Sequence, residues 1–516
     1  MARRTDEQIF LDLVPSDRPI GNTVLRRELQ ARSWSDEKYW RVRQQLIDKR
    51  LLAVGRGYGG SVHRTEVPAM VSPVGSSERD IASLDHAEVE TREGDTPFAV
   101  LKHIRFLRWK SFQDATLYMD PLTVLIGTNA SGKSNALDGL QFLNRTALGK
   151  ELGVALAGDP ILSPLRGGVE WAASQGASQF TLEVSIQGEE QRTEYVYQIT
   201  VDTQPRVQLS GESLKRVRRR PGTDSKPYVL NLLTTDPPER DSPSITARLY
   251  NGKSGTRKDG LRSASLLSQL VGLPLPQEVV TGLNAVSRAL RNIFILDPIP
   301  SGMRGYSPFT ESLRTDAANM AGVLAALPER QKASVEATLT YYIRDLPERD
   351  VRRVWAEPVG RFKTDAMLYC EEAWIPHGPS TTIDARGMSD GTLRMLAILT
   401  ALLTRPEGSM LVIEEVDNGL HPSRSHLLLR MLKEVGERRK IDILVTTHNP
   451  ALLDALGPEM VPFVLVAHRD AETGESLLTL LEDIENLPKL MAGGSLGALS
   501  ARGQIEQSLN PGGQAA

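Results

Sequence analysis

The chain has 516 residues, 40% of them hydrophobic and 24% charged, and a formal net charge of −3. That length supports two or three globular domains, and the near-neutral balance excludes a protein that coats nucleic acid by bulk charge. The single cysteine, Cys370, excludes an internal disulfide and fits a reducing cytosol. No apolar run reaches the length of about 18 residues that a membrane helix needs, and Met1-Ala-Arg-Arg opens no signal-peptide pattern, so a cytoplasmic protein without membrane contact is expected.

Residues 1–65 predict a small helical unit. Helices are expected over 6–13 and 22–31, and a third starts at the N-cap Ser35 with acidic first-turn residues and runs to about residue 49. Leu51-Leu52-Ala53-Val54, a glycine-rich turn at 55–60 and Ser61-Val62-His63-Arg64 then read as a β-hairpin. This order resembles a winged-helix domain. In that family the third helix and the wing touch DNA, which here implies Lys38, Arg41, Arg43, Arg56 and Arg64; the alternative is a protein-docking module on which the same side chains are solvated charges. Residues 66–97 are rich in Pro, Ser, Gly and carboxylates without apolar periodicity, the composition of a flexible linker.

From Phe98 the pattern changes to strands over 99–106 and 115–119, followed by the apolar run Leu122-Thr-Val-Leu-Ile126. The run ends in Gly127-Thr128-Asn129-Ala130-Ser131-Gly132-Lys133-Ser134-Asn135, which opens an amphipathic helix. Strand, glycine-rich turn and helix start form a phosphate loop: the glycines let consecutive N–H groups point inward, and the helix N-terminus adds partial positive charge. Lys133 is suited to the β- and γ-phosphates and the Ser134 hydroxyl to Mg²⁺. A nucleoside triphosphate is the expected ligand.

Residues 145–386 form a long mixed insertion without an internal repeat. Residues 180–186 and 195–201 alternate like a hairpin, and helices are expected over 264–271, 285–293 and 319–342. The basic run Lys215-Arg216-Val217-Arg218-Arg219-Arg220 reads as a charged hairpin tip, with contact to a phosphate backbone as the alternative.

Three polar strand and helix ends follow. Gly387-Met388-Ser389-Asp390-Gly391 is a turn opening an apolar helix, presenting Ser389 beside another anion-friendly helix N-terminus. Met410-Leu-Val-Ile413 is a buried-strand pattern ending in Glu414-Glu415, two carboxylates that are costly there unless a cation or reacting group uses them. Residues 441–447 form a strand ending in His448, with Asn449-Pro450 stopping it. In open α/β sheets ligands sit at the carboxyl ends of strands.

A phosphate loop, a long insertion, a Ser-x-Gly turn, an acid–acid strand end and a histidine strand end, in this order, resemble an ABC-type ATPase head. The fold class so implied is α/β: an ABC-type P-loop head with a helical and β insertion, preceded by the small winged-helix-like α+β domain, the head having an N-terminal lobe over 98–144 and a C-terminal lobe over 387–516. Glu414-Glu415-Val416-Asp417-Asn418-Gly419-Leu420-His421-Pro422 is similar to the OLD (overcoming lysogenisation defect) and RecF-like branch. The resemblance implies ATP and Mg²⁺ as ligands, with phosphate held by residues 127–135. It assigns metal to Ser134 and Glu414, catalysis to Lys133, Glu415 and His448, and contact with a second subunit's nucleotide to Ser389 and Gly391. One copy of each motif then implies a homodimer or a larger even-numbered oligomer. Ser-Asp-Gly in place of Ser-Gly-Gly, and His421 in place of the usual aspartate, fit the OLD-like branch.

OLD proteins carry a C-terminal Toprim nuclease, for which the roughly 68 residues after His448 are too few. The resemblance therefore implies an anti-phage switch that senses DNA or phage components and controls a separate nuclease or toxin, with double-stranded DNA as a further partner. The alternative is a RecF-like or chromosome-maintenance DNA-repair clamp without a toxic effector. Transporter motor heads have short insertions, whereas about 250 residues separate the phosphate loop from Ser389 here. Pure transcriptional control with ATP as ligand is the remaining reading.

Overall fold

The computed structural model describes residues 5–14, 20, 22–30, 32, 34–49, 51–54, 62–64, 99–190, 192–219, 227–239, 241–346, 351–373, 379–484 and 487–509. The expected linker lies outside the described residues, as do Arg56 and Arg220. The rest divides into two compact units, one drawn from 1–66, 96–293 and 457–516, the other from 294–456.

In the first unit, helices Asp6–Leu13, Asn22–Gln30 and Asp36–Asp48 precede the antiparallel pair Leu52–Val54 and Val62–Arg64. Thr5 and Gln8 form a capping box, and Ser35 accepts the Lys38 N–H, so local capping sets two of these starts. Phe10, Leu25, Leu29, Trp34, Tyr39, Val42 and Leu46 make their shared core. The charges expected on the DNA-facing side are partly engaged: Lys38 pairs with Asp6 at 2.8 Å and lies over Trp34, while Arg43 is buried beside Tyr39. Arg41 is exposed.

The body of this unit is an eight-stranded antiparallel sheet. Its order is Thr256–Leu261, Ser244–Leu249, Tyr228–Thr235, Gln208–Arg218, Thr193–Asp202, Gln179–Gln187, Val100–Trp109 and Phe112–Tyr118. The expected hairpin holds, with Phe180 opposite Val201. Residues 215–218 of the basic run end the strand Gln208–Arg218, where Arg216 meets Glu278 at 3.2 Å and Arg218 meets Glu190 at 3.0 Å. Helices Lys133–Ala147 and Gln277–Arg291 pack together, the second also against the sheet. A Cβ at Gly139 would stand 2.5 Å from the Phe106 ring, so the first helix approaches its strand as closely as glycine permits. Trp109, Phe142 and Phe180 meet with centroids 4.8–5.9 Å apart. The strand Leu122–Ile126 pairs in parallel with Val464–Arg469, which pairs antiparallel with Ser476–Leu480.

The second unit holds the parallel pair Met410–Ile413 and Asp442–Thr446 beside helices Asp390–Thr404 and Ser425–Arg438. It also has an antiparallel sheet of Ser307–Pro308, Val351–Val359, Asp365–Glu372 and Thr381–Asp384, packed on helices Met320–Ala326 and Glu329–Arg344. The single helix expected over 319–342 is two, because Pro328 starts a new one after Leu327 leaves helical geometry.

Candidate nucleotide site

The phosphate loop is built by backbone that side chains would obstruct. Gly127 and Gly132 have φ of 144° and 112°, and Ala130 stands at 63°. A Cβ at 127 would lie 2.2 Å from the Ala467 carbonyl oxygen, and one at 132 would lie 2.7 Å from Ser476 Oγ. The loop therefore rests directly on the strands Val464–Arg469 and Ser476–Leu480, and glycine is required at both ends. Lys133 is buried, and its Nζ donates to the carbonyls of Gly127 at 2.7 Å and Thr128 at 2.9 Å. Thr128, Asn129 and Ala130 are exposed at the crest, Ser131 is buried, and Ser134 and Asn135 are half-buried in the first helical turn.

Three contacts hold that turn. Asn135 Nδ2 donates to Ser111 Oγ at 2.7 Å, Trp109 Nε1 donates to the Asn135 carbonyl at 2.8 Å, and Arg469 Nε donates to the Ala130 carbonyl at 2.9 Å. No sequence motif marks Arg469, because its partner is a backbone oxygen some 340 residues away. Lys110 is buried between Asp138 of the loop helix and the Arg166 carbonyl, each at 2.6 Å. Burial lowers its pKa, and Asp138 opposes that shift.

In the second unit, Glu414 and Glu415 follow directly on the strand Met410–Ile413, both half-buried. Glu415 has a left-handed backbone, φ 47°, and its N–H donates to Thr446 Oγ1 at 2.8 Å. Thr446 ends the neighbouring parallel strand, and two residues on, His448 Nδ1 lies 3.9 Å from Glu415 Oε1. The strand ends thus bring the carboxylate and the imidazole together. Asn449 caps the helix Pro450–Ala455 by accepting the Ala451 N–H, which stops the chain where the sequence placed the break.

Ser389 is exposed and caps the helix Asp390–Thr404, accepting the Thr392 N–H at 3.1 Å. Gly391 is buried: a Cβ there would stand 2.6 Å from an Arg424 nitrogen and 3.2 Å from the Gly419 carbonyl oxygen. The Ser389 turn therefore touches the loop after the acid pair. Arg304 gathers this turn, donating to the carbonyls of Ala385, Arg386 and Met388 and to Asp390 Oδ1. Arg304 was also invisible in the sequence, for the same reason as Arg469.

A phosphate loop, an acid-terminated parallel strand and a Ser-x-Gly helix start define an ABC-type P-loop ATPase of the α/β class. The family described as "AAA domain, putative AbiEii toxin, Type IV TA system" matches residues 122–265 and 324–454, more than half of the chain, and the protein belongs to it. No curated protein matches the chain. Among solved structures, an Smc head bound to the C-winged helix domain of ScpA is similar over 74% of this chain and 97% of that one, at 13% identity and a TM-score of 0.42. The SMC head domain of Thermotoga maritima is 14% identical over 74% and 98%, with a TM-score of 0.36. An Smc head with an extended coiled coil, bound to the C-terminal domain of ScpA from Pyrococcus furiosus, is 12% identical over 77% and 100%, with a TM-score of 0.41. Among the described residues no helix is long and apolar enough to cross a membrane.

Proposed function

We propose that the chain is an ATP-hydrolysing switch in which two copies enclose Mg·ATP, working in the cytoplasm as the sensing component of a defence system with a separate nuclease or toxin effector. The observation that carries the hydrolytic part is the Glu415–His448 pair at 3.9 Å on adjacent strand ends, with Glu415 held in a strained backbone by Thr446. The loop fits a triphosphate: glycines at 127 and 132 let its backbone curl against the strands behind it, and Lys133 Nζ sits on the carbonyls of Gly127 and Thr128.

In this reading residues 127–135 bind phosphate oxygens through backbone N–H groups, and Lys133 neutralises their charge. Ser134 and Glu414 would hold Mg²⁺, which when bound supplies charge neutralisation and orientation of the phosphates. Glu415 orients the attacking water and accepts its proton, and His448 links that water to the γ-phosphate. Ser389 and Gly391 close over the nucleotide of the second copy, so hydrolysis requires an even-numbered assembly. The three helices and hairpin at the N-terminus are read as a winged-helix module for duplex DNA, with exposed Arg41 as a contact. The family's description supports the toxin–antitoxin setting.

Glu415→Gln tests the reading. It is expected to bind ATP like wild type, to lose turnover by at least about 10²-fold, and to accumulate as a dimer with ATP in size-exclusion chromatography. Near-normal hydrolysis, or a strict monomer at saturating ATP, overturns it.

A further inference from the structure

The phosphate loop accounts for the charged end of a nucleotide and leaves its base without a partner. Beside the loop helix, the segment around residues 165–174 carries Trp171, whose side chain is 67% exposed. An indole so exposed is held in place here. Gly167, at φ +76°, lies under it, and a Cβ at 167 would stand 2.7 Å from Trp171 Cβ and 3.0 Å from its Cγ. The Trp171 N–H donates to the Gly167 carbonyl, closing one turn around that contact. One flank of the side chain is therefore seated on backbone while most of its surface remains open.

The same segment is fastened to the nucleotide loop. Lys110 Nζ bridges the Arg166 carbonyl and Asp138 of the loop helix, the Lys110 N–H donates to the Ala172 carbonyl, and the Ser174 N–H donates to the Arg108 carbonyl. Arg108, in this paired stretch, is exposed with a left-handed backbone, and among the described residues no hydrogen bond or ion pair engages its guanidinium. The neighbouring Trp109 and Ser111 bond Asn135 in the first turn of the loop helix. A seated indole and an available planar cation thus lie on one framework with the phosphate loop.

We propose that Trp171 is the stacking platform for the purine base of the nucleotide, with Arg108 as an available planar cation on the same paired stretch. This rests on the ATP reading above and adds the base subsite to it. A purine presents a flat π-face of matching size, and stacking on an aromatic side chain does not need hydrogen-bond readout, so the platform favours nucleotides with a base over bare polyphosphate.

The test measures binding of ATP and of inorganic tripolyphosphate, each with Mg²⁺, to the full chain by isothermal titration calorimetry. Trp171→Ala is expected to weaken ATP about tenfold and to leave tripolyphosphate unchanged, with an unaltered far-UV spectrum; Trp171→Phe is expected to retain most of the ATP affinity. Unchanged ATP affinity in Trp171→Ala overturns the subsite, and so does an equal loss of both ligands. A loss confined to ATP-driven dimerisation assigns Trp171 to a contact between copies instead. Lys133→Ala separates the two readings: if wild type and Lys133→Ala both fail to bind either ligand, the ATP reading falls and takes the subsite with it.

Discussion

The guanidinium of Arg304 lies 2.5 Å from the Asp390 carboxylate while also donating to three carbonyls between residues 385 and 388. Asp390 follows Ser389 in the turn proposed to reach a second copy's nucleotide. One side chain thus ties together the carbonyls of this turn, beside the backbone bond from the Gly387 N–H to the Asp384 carbonyl. Arg304→Ala removes charge-assisted bonds and leaves carbonyls to water, at a cost of about 1–3 kcal/mol. ATP affinity of the isolated protomer is expected to persist, because the loop residues are untouched, while turnover falls and its dependence on protein concentration steepens. Arg304→Lys keeps the charge but not the fork, and is expected to rescue stability better than turnover.

Glu415 carries the reverse relationship between fold and chemistry. A left-handed backbone at a non-glycine residue costs on the order of 1 kcal/mol, and here it is maintained by the Thr446 hydroxyl. Glu415→Gly therefore relieves strain and is expected to raise Tm while abolishing hydrolysis. Thr446→Val is expected to lower turnover without touching any phosphate contact. Differential scanning fluorimetry beside a phosphate-release assay measures both; a Glu415→Gly protein less stable than wild type contradicts the strain argument.

What the sequence revealed, and what it hid, follows the range of the interactions. The loop, the acid pair, the strand ending in His448 and the cap Ser35 were legible because each is a local pattern: a glycine spacing, a strand end, or a hydroxyl three residues before its N–H. The hairpin 180–201 was legible because one face alternates. The outer strand Thr256–Leu261 was not, since Thr-Arg-Lys-Asp-Gly-Leu has no apolar alternation and is held as a strand by its ladder to Ser244–Leu249. The apolar residues from Val461 do not all join the strand Val464–Arg469, because Pro462 sits in a short 3₁₀ turn before it. Arg304 and Arg469 were hidden altogether, since a backbone carbonyl carries no sequence signature.

A pH dependence resides in the first unit. The Glu482 carboxyl is pushed up to about 8, mainly by burial and further by Asp483 and Asp120, and its Oε2 meets no partner among the described residues. Tyr39, raised to about 12 by burial, lies within the field of Glu482 and beside Arg43. An acid whose folded pKa is raised favours the fold in its neutral form. The contribution is complete below the ordinary value near 4.5 and is lost as pH rises through about 8. Stability is thus expected to fall between these limits by an amount on the order of a few kcal/mol. Glu482→Gln stays neutral and should flatten that slope. Urea melts at both ends of the window measure it; parallel wild-type and variant curves contradict the assignment.

Gly139 offers a last test of how the fold positions the loop. In an exposed helix, alanine in place of glycine gains up to about 1 kcal/mol. Here the added methyl would stand 2.5 Å from a ring carbon of Phe106, itself fully buried and stacked on Phe112. Neither ring can retreat without disturbing the aromatic core, and overpacking of this kind costs about 1–3 kcal/mol. Gly139→Ala is therefore expected to be net destabilising and to weaken ATP binding, because the displaced helix carries Lys133 and Ser134 at its start. Phe106→Leu removes the ring edge and should recover part of both losses in the double variant. If Gly139→Ala is instead as stable as wild type and binds ATP normally, the close approach of helix and strand does not set the position of the loop.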